Sequence, residues 1–125
     1  MTRNIGIDMV YIPRLQKLLD KGETAFFRHT FTEAENRLAP QGVQTAAYYA
    51  ARFAAKEAVY KALAPLLESH HFDLRMVESL HREDGSPYIN ITPELRALME
   101  QAGAEKILLS ITTEQDYATA FVVLE

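Results

Sequence analysis

Between Thr45 and Leu63 the chain contains neither glycine nor proline, and nine alanines fall between Ala46 and Ala64. Alanine is the strongest helix former and leaves almost no side chain on the helix surface. The segment therefore predicts one long helix that neighbouring elements can approach closely. Pro65 ends it or sits in its frayed last turn. Little else in the chain reads as long helix, so the remainder must be short elements arranged around this one. Glu57 and Lys61 stand four residues apart on it, about one turn, and project from one face.

The flanking segments read as alternating short helices and strands. Asn4–Ile12 reads as a buried strand, with Ile5, Ile7, Met9 and Tyr11 on one side and Val10 and Ile12 on the other. Pro13 suits a first helical turn and Gly22 a helix end, which places a short helix over Arg14–Lys21 with Leu15, Leu18 and Leu19 on its apolar side. Thr32-Glu33-Ala34-Glu35 fits a capping box, and Ala39-Pro40-Gln41-Gly42 breaks the helix it starts. Beyond Pro65 the period changes. Met76–His81 and Tyr88–Ile91 read as strands joined through Glu83-Asp84-Gly85-Ser86. Thr92-Pro93 opens a helix that runs to Ala102 and stops at Gly103. Lys106–Thr112 and Tyr117–Leu124 read as the last two strands. The order predicts an α+β domain with a largely antiparallel sheet packed on the Ala-rich helix. At 125 residues, 1–125 reads as one domain.

Composition narrows the function. No run of 18 apolar residues occurs, which argues against a membrane span. The net charge of −4 argues against a general nucleic-acid binder. Zero cysteines exclude disulfides and thiolate metal sites. With an N-terminus lacking a leader-like apolar core, this favours the cytoplasm. Residues 1–28 are mildly basic within this acidic chain, through Arg3, Arg14, Lys17, Lys21 and Arg28. That surface suits an acidic partner, or is an ordinary solvated helix face.

Asp8 is the anomaly of the first strand. A carboxylate inside an apolar strand is costly to bury unless it is paired or metal-bound. It either lies partly exposed, pairs with Lys61 or Arg52, or meets Glu57 across the fold. Two carboxylates would suit a Mg²⁺ that keeps some water and takes phosphate oxygens. Glu57 and Lys61 alone are equally a helix-stabilising pair, and Arg52 is a surface charge or a phosphate ligand. His29, His70, His71 and His81 lack the spacing of a helical zinc site. The serines, Ser69 among them, lack a nucleophile-elbow context. No glycine-rich phosphate loop is present. Tyr48, Tyr49, Phe53 and Tyr60 read as core.

Several segments together resemble one family. Gly6-Ile-Asp-Met-Val10, Phe31-Thr-Glu-Ala-Glu35, Ala51-Arg-Phe-Ala-Ala-Lys-Glu-Ala58 with Lys61, Asp84-Gly85-Ser86-Pro87-Tyr88, and the closing strand from Asp116 to Glu125 occur in order along nearly the whole chain. They resemble the holo-acyl-carrier-protein synthases, the small type of 4′-phosphopantetheinyl transferase. The resemblance implies transfer of the phosphopantetheine arm of coenzyme A to a serine of an apo acyl carrier protein, with release of 3′,5′-ADP. It implies Asp8 and Glu57 as Mg²⁺ ligands, Lys61 at the phosphates or the serine, and Arg52 as a phosphate contact. It further implies carrier docking through Arg14, Leu18, Phe26 and Arg28, and a homotrimer with active sites between subunits.

Three departures fall on the coenzyme A side. Ala64-Pro65-Leu66-Leu67 replaces a Gly-rich turn, Thr113 stands where the family carries histidine, and Ser86 replaces a lysine. The metal and carrier sides keep their residues. His70 or His71 is a candidate to compensate for the missing imidazole. The alternative to the enzyme is a weakened relative that docks carrier protein without efficient transfer. A purely structural trimer with a buried ion network is a third reading.

Overall fold

The long helix α4 spans Thr45–Leu63, as its composition predicts. A computed structural model of the chain describes residues 1–68 and 71–125. Strands β1 (Asn4–Tyr11), β4 (Ile107–Glu114) and β5 (Tyr117–Leu124) form an antiparallel sheet in the order β1-β5-β4. A separate antiparallel hairpin pairs β2 (Glu78–His81) with β3 (Pro87–Asn90). The shorter helices are α1 (Ile12–Asp20), α2 (Thr24–Thr30), α3 (Glu33–Arg37) and α5 (Pro93–Ala102). The α+β class and the antiparallel pairing agree with the sequence reading. No helix among the described residues is long and apolar enough to cross a membrane.

The helix lies across the inner face of the three-stranded sheet because both surfaces are lined by small side chains. Gly6, Ala118 and Ala120 face Ala54, Ala58 and Ala62 within one buried core. At Gly6 the approach is so close that a Cβ would overlap the Ala58 carbonyl oxygen. Glycine is therefore required there for space rather than for its backbone freedom. Asn4 Nδ2 donates to the Ala62 carbonyl at 2.8 Å and fixes the strand against the last turn of the helix.

A buried ion pair ties the remaining elements to this unit. Lys56 and Glu35 are both 0% exposed, with Nζ and Oε1 2.6 Å apart. Lys56 spends its other two donors on the Leu74 carbonyl at 3.0 Å and the Val77 carbonyl at 2.5 Å. Glu35 accepts the Thr32 and Ser79 backbone N–H groups, each at 2.8 Å, while its own N–H reaches Thr32 Oγ1 at 3.2 Å. The capping box is thus present, and its glutamate also holds β2. Desolvation pushes the Lys56 pKa down and Glu35 opposes the shift. The pair is fully hydrogen-bonded, the condition under which a buried charge pair is tolerated.

The structure corrects several boundaries. Helix α1 begins at Ile12, directly after β1, and ends at Asp20. Residues Thr24–Thr30 form a helix that the sequence reading omitted; its aromatic side chains pack with Phe53 and Tyr49. Strand β2 starts only at Glu78, because Asp73 accepts the Arg75 N–H at 2.9 Å and turns Leu74–Met76 into a 3₁₀ segment. Helix α5 has the expected ends: Thr92 Oγ1 accepts the Leu95 N–H at 3.2 Å, and Gly103 adopts φ 72°. Strand β1 is buried on one face only. Gly6 and Val10 point inward, whereas Ile7 is 58% and Met9 62% exposed in the single chain.

Lys56→Ala leaves Glu35 buried without its cation. The expected loss is about 3–5 kcal/mol of stability, or about 10–20 °C in Tm for a domain of this size, read by calorimetry. The double replacement Glu35→Leu with Lys56→Met is expected to stay well below wild type, since the Ser79 N–H and the Val77 carbonyl would lose their partners. Full recovery in the double variant would show that the pair is replaceable by packing.

Candidate active site

The sheet order places two polar half-sites at opposite edges, one against β1 and one against β4. The first is built on Asp8, which sits on the inward side of β1 opposite Ala120. Lys61 Nζ reaches Asp8 Oδ1 at 2.8 Å and the Ile7 carbonyl at 3.0 Å. Of the two partners the sequence left open for Asp8, the structure selects Lys61. Lys61 therefore serves β1 rather than completing an ion pair with Glu57 on its own helix. Glu57 is half-buried one turn earlier. Burial pushes its pKa up, the Asp8 charge pushes it further, and Lys61 and Arg14 oppose the rise. Beside it opens a cavity of about 350 Å³ lined by Glu57, Tyr60, His71, Phe72 and Leu74.

This donor set fits a small hard cation. The Asp8 charge beside the half-buried Glu57 carboxylate would be offset by a divalent ion, and water or phosphate can fill the remaining positions. Among the described residues no cluster of three or more His, Cys, Asp or Glu side chains could hold a metal. Asp8 and Glu57 would be the cation's two ligands.

The second half-site surrounds Arg52, which is 9% exposed. Its guanidinium lies 3.9 Å from the Tyr48 ring centroid, with Nη2 2.5 Å from His81 Nδ1. Tyr48 O–H in turn donates to the Glu35 carbonyl at 2.6 Å. The adjoining cleft, about 490 Å³, is lined by residues from α4, the β2–β3 hairpin and β4, including Thr113. Arg52 and Glu57 share one helix, but five residues turn them by about 140° from each other. Arg52 is accordingly not part of the Asp8 group. Ser86 hydrogen-bonds Asp84 Oδ1 through its N–H at 2.8 Å and its hydroxyl at 2.6 Å, which shapes the hairpin turn.

Arg14 and Arg28 are both exposed; Arg14 acts on the Glu57 charge, whereas Arg28 lines a separate opening with Thr32, Asn36 and Arg75. Arg14 lies over the Phe53 ring at 5.6 Å. Leu18 and Phe26 are partly buried against the core, and Phe26 packs on Phe27 and Phe53 at 5.2 and 5.9 Å. The basic head of Arg14 thus stands over the apolar surface to which Phe26 and Phe53 belong.

Sequence reasoning missed three site-lining side chains. Tyr48 and Tyr60, read as core, line the two openings. His81 stood alone in the sequence and stands beside Arg52 in the fold. His71 lines the Glu57 cavity, whereas His70 and Ser69 lie outside the described residues.

Comparison with known proteins agrees with this architecture. Residues 4–122 match the model of the 4′-phosphopantetheinyl transferase superfamily. A holo-[acyl-carrier-protein] synthase of Nitrosospira multiformis is 37% identical over 125 residues, covering 100% of this chain and 99% of that protein. The crystal structure of holo-[acyl-carrier-protein] synthase from Neisseria meningitidis superposes with TM-score 0.86 at 33% identity, covering 100% and 99% of the two chains. The Bacillus anthracis holo-(acyl-carrier-protein) synthase, solved in complex with CoA (3′,5′-ADP), gives TM-score 0.76 at 29% identity over 99% and 96%. With the family match, the sequence identity and the superposition all extending over nearly the whole chain, the chain belongs to the holo-[acyl-carrier-protein] synthase family of the 4′-phosphopantetheinyl transferase superfamily.

Proposed function

We propose that this chain transfers the 4′-phosphopantetheine group of coenzyme A to a serine of an apo acyl carrier protein, releasing 3′,5′-ADP, with Mg²⁺ as cofactor. The observation that carries the reading is the convergence of Asp8, Glu57 and Lys61 beside a cavity and next to a basic, apolar-striped helix. The complex of the Bacillus anthracis relative supports coenzyme A as the donor.

Asp8 and Glu57 would hold the cation, which supplies charge neutralisation at the pyrophosphate as the bond to the leaving oxygen lengthens. Lys61 aims Asp8 through its ion pair, and its ammonium, about half exposed, retains a third donor for phosphate oxygens. The fixed carboxylates and ammonium need little rearrangement as charge develops, which is where such sites gain their rate. Arg14 and Arg28 would attract the carboxylates of an acidic carrier, while Leu18 and Phe26 provide apolar contact. This steers the carrier serine toward the Glu57 cavity. A chain without cysteine suits a cytoplasmic setting for this reaction.

We also propose a homotrimer. The outer face of the sheet leaves Ile5, Ile7, Met9, Leu108 and Phe121 exposed together, and apolar side chains grouped on one face suit an interaction surface. The half-sites lie at opposite edges of that sheet, on β1 and β4, with β5 between them. A closed ring, in which each β1 edge meets the next copy's β4 edge, would complete the site between subunits.

Intact-mass measurement of an apo carrier incubated with the protein, coenzyme A and Mg²⁺ tests the first proposal. Gain of one phosphopantetheine arm, abolished by a chelator, is the expected result. No gain with several carriers by folded protein would instead favour the docking-only relative. Asp8→Ala and Glu57→Ala are each expected to lower the rate by at least about 10²–10³-fold, the usual cost of one transition-state charge stabiliser. Near-normal rates in both would remove them as metal ligands. For the assembly, Ile7→Asp with Phe121→Asp should convert a trimer to a monomer in light scattering and abolish transfer. A wild-type monomer with full activity would refute the ring.

A further inference from the structure

Arg52 is a buried cation whose guanidinium is only partly used. Its Nη2 contacts His81 and its face covers Tyr48, yet its Nε has no hydrogen-bond partner among the described residues. A buried donor without an acceptor is unfavourable, and more so when it carries charge. The cleft beside it is also chemically one-sided. Its lining includes Arg52, His81, Gln44 and Thr113 and, among the described residues, no aspartate or glutamate. Ile111, Pro87 and Tyr48 supply flat apolar surface in the same cleft. Cationic and donor groups over flat apolar walls suit a phosphorylated ligand with a planar ring.

The imidazole of His81 is oriented for this task. Guanidinium nitrogens only donate, so the Nδ1 facing Arg52 must be the acceptor. The hydrogen then resides on Nε2, at the far side of the ring, as a donor for an incoming oxygen. Partial burial and the Arg52 charge both hold the His81 pKa below its ordinary value. Thr113, which replaces an imidazole on the β4 wall, lines the same cleft as His81 on the hairpin wall.

We propose that His81 is a phosphate-binding residue of the nucleotide half-site, acting with Arg52 and restoring from strand β2 the imidazole absent at Thr113. The inference rests on the reading of this cleft as the coenzyme A side. It assigns to His81 a part in donor binding and none in the chemistry at the carrier serine. His81→Ala should therefore raise the KM for coenzyme A and leave kcat nearly unchanged.

The test combines kinetics with calorimetric binding of 3′,5′-ADP to the wild type, His81→Ala and His81→Gln. Glutamine keeps both an acceptor for Arg52 and an N–H donor. In His81→Ala, KM for coenzyme A and Kd for 3′,5′-ADP should each rise about tenfold, equivalent to about 1.4 kcal/mol, with kcat within about twofold because uniform binding is what is lost. His81→Gln should recover most of the affinity. Unchanged KM and Kd in a folded, active His81→Ala protein overturns the assignment and leaves the transferase reading intact. A fall in kcat at constant KM also overturns it. A wild type that binds 3′,5′-ADP in a His81-dependent way but never modifies a carrier keeps the site and removes the transferase reading. Absence of both binding and transfer in the wild type removes both.

Discussion

Both half-sites depend on the ion pair between Lys56 and Glu35. Through Lys56 the long helix grips the Leu74 and Val77 carbonyls, and through Glu35 it grips the Ser79 N–H. The first of these carbonyls belongs to a residue that lines the Glu57 cavity. The last group lies in the strand that ends at His81. One buried contact therefore fixes a wall of each opening, although neither residue touches either one. Two buried charges are a costly way to join four segments if stability alone is at issue. They have the merit that each donor and acceptor fits only one arrangement of backbone groups, so the loop and the hairpin have one registered position.

The sequence made the scaffold legible where local chemistry dictates it. Alanine content set α4, and the threonine and glycine caps set α5. It failed where a side chain's role is decided across the fold. Lys56 and Lys61 are both lysines of one helix, and nothing local states that the first is fully buried while the second is half exposed. The Thr32–Glu35 capping signal was readable, but the second task of Glu35 was not. The apolar alternation of β1 was read as burial, whereas the chain leaves one face of that strand open. His81 was indistinguishable from any surface histidine because its partner Arg52 lies 29 positions away.

The candidate site was legible to a different degree on each side. Asp8, Glu57 and Lys61 could be grouped because carboxylates and ammonium on apolar elements call for partners, and the fold brings them together. Arg52 could be marked as a phosphate contact, but its placement on the other face of α4 follows from helical rotation combined with sheet order. Departures from the family pattern looked like simple losses in the sequence. In the fold, Ser86 organises its turn through Asp84, and the position of Thr113 is overlooked by another imidazole.

The contact at Gly6 has a meaning beyond packing. Gly6 lies two residues before Asp8, and the Ala58 carbonyl it abuts follows Glu57 directly in the chain. Strand and helix backbones touch there with nothing between them. The distance between the two carboxylates is thereby gauged by main chain against main chain, the least compressible ruler a protein possesses. Any methyl group inserted at that point would act as a shim, pushing the strand that carries Asp8 away from the helix that carries Glu57. The pair of alanine-rich and glycine-bearing surfaces is thus a calibration as much as a core.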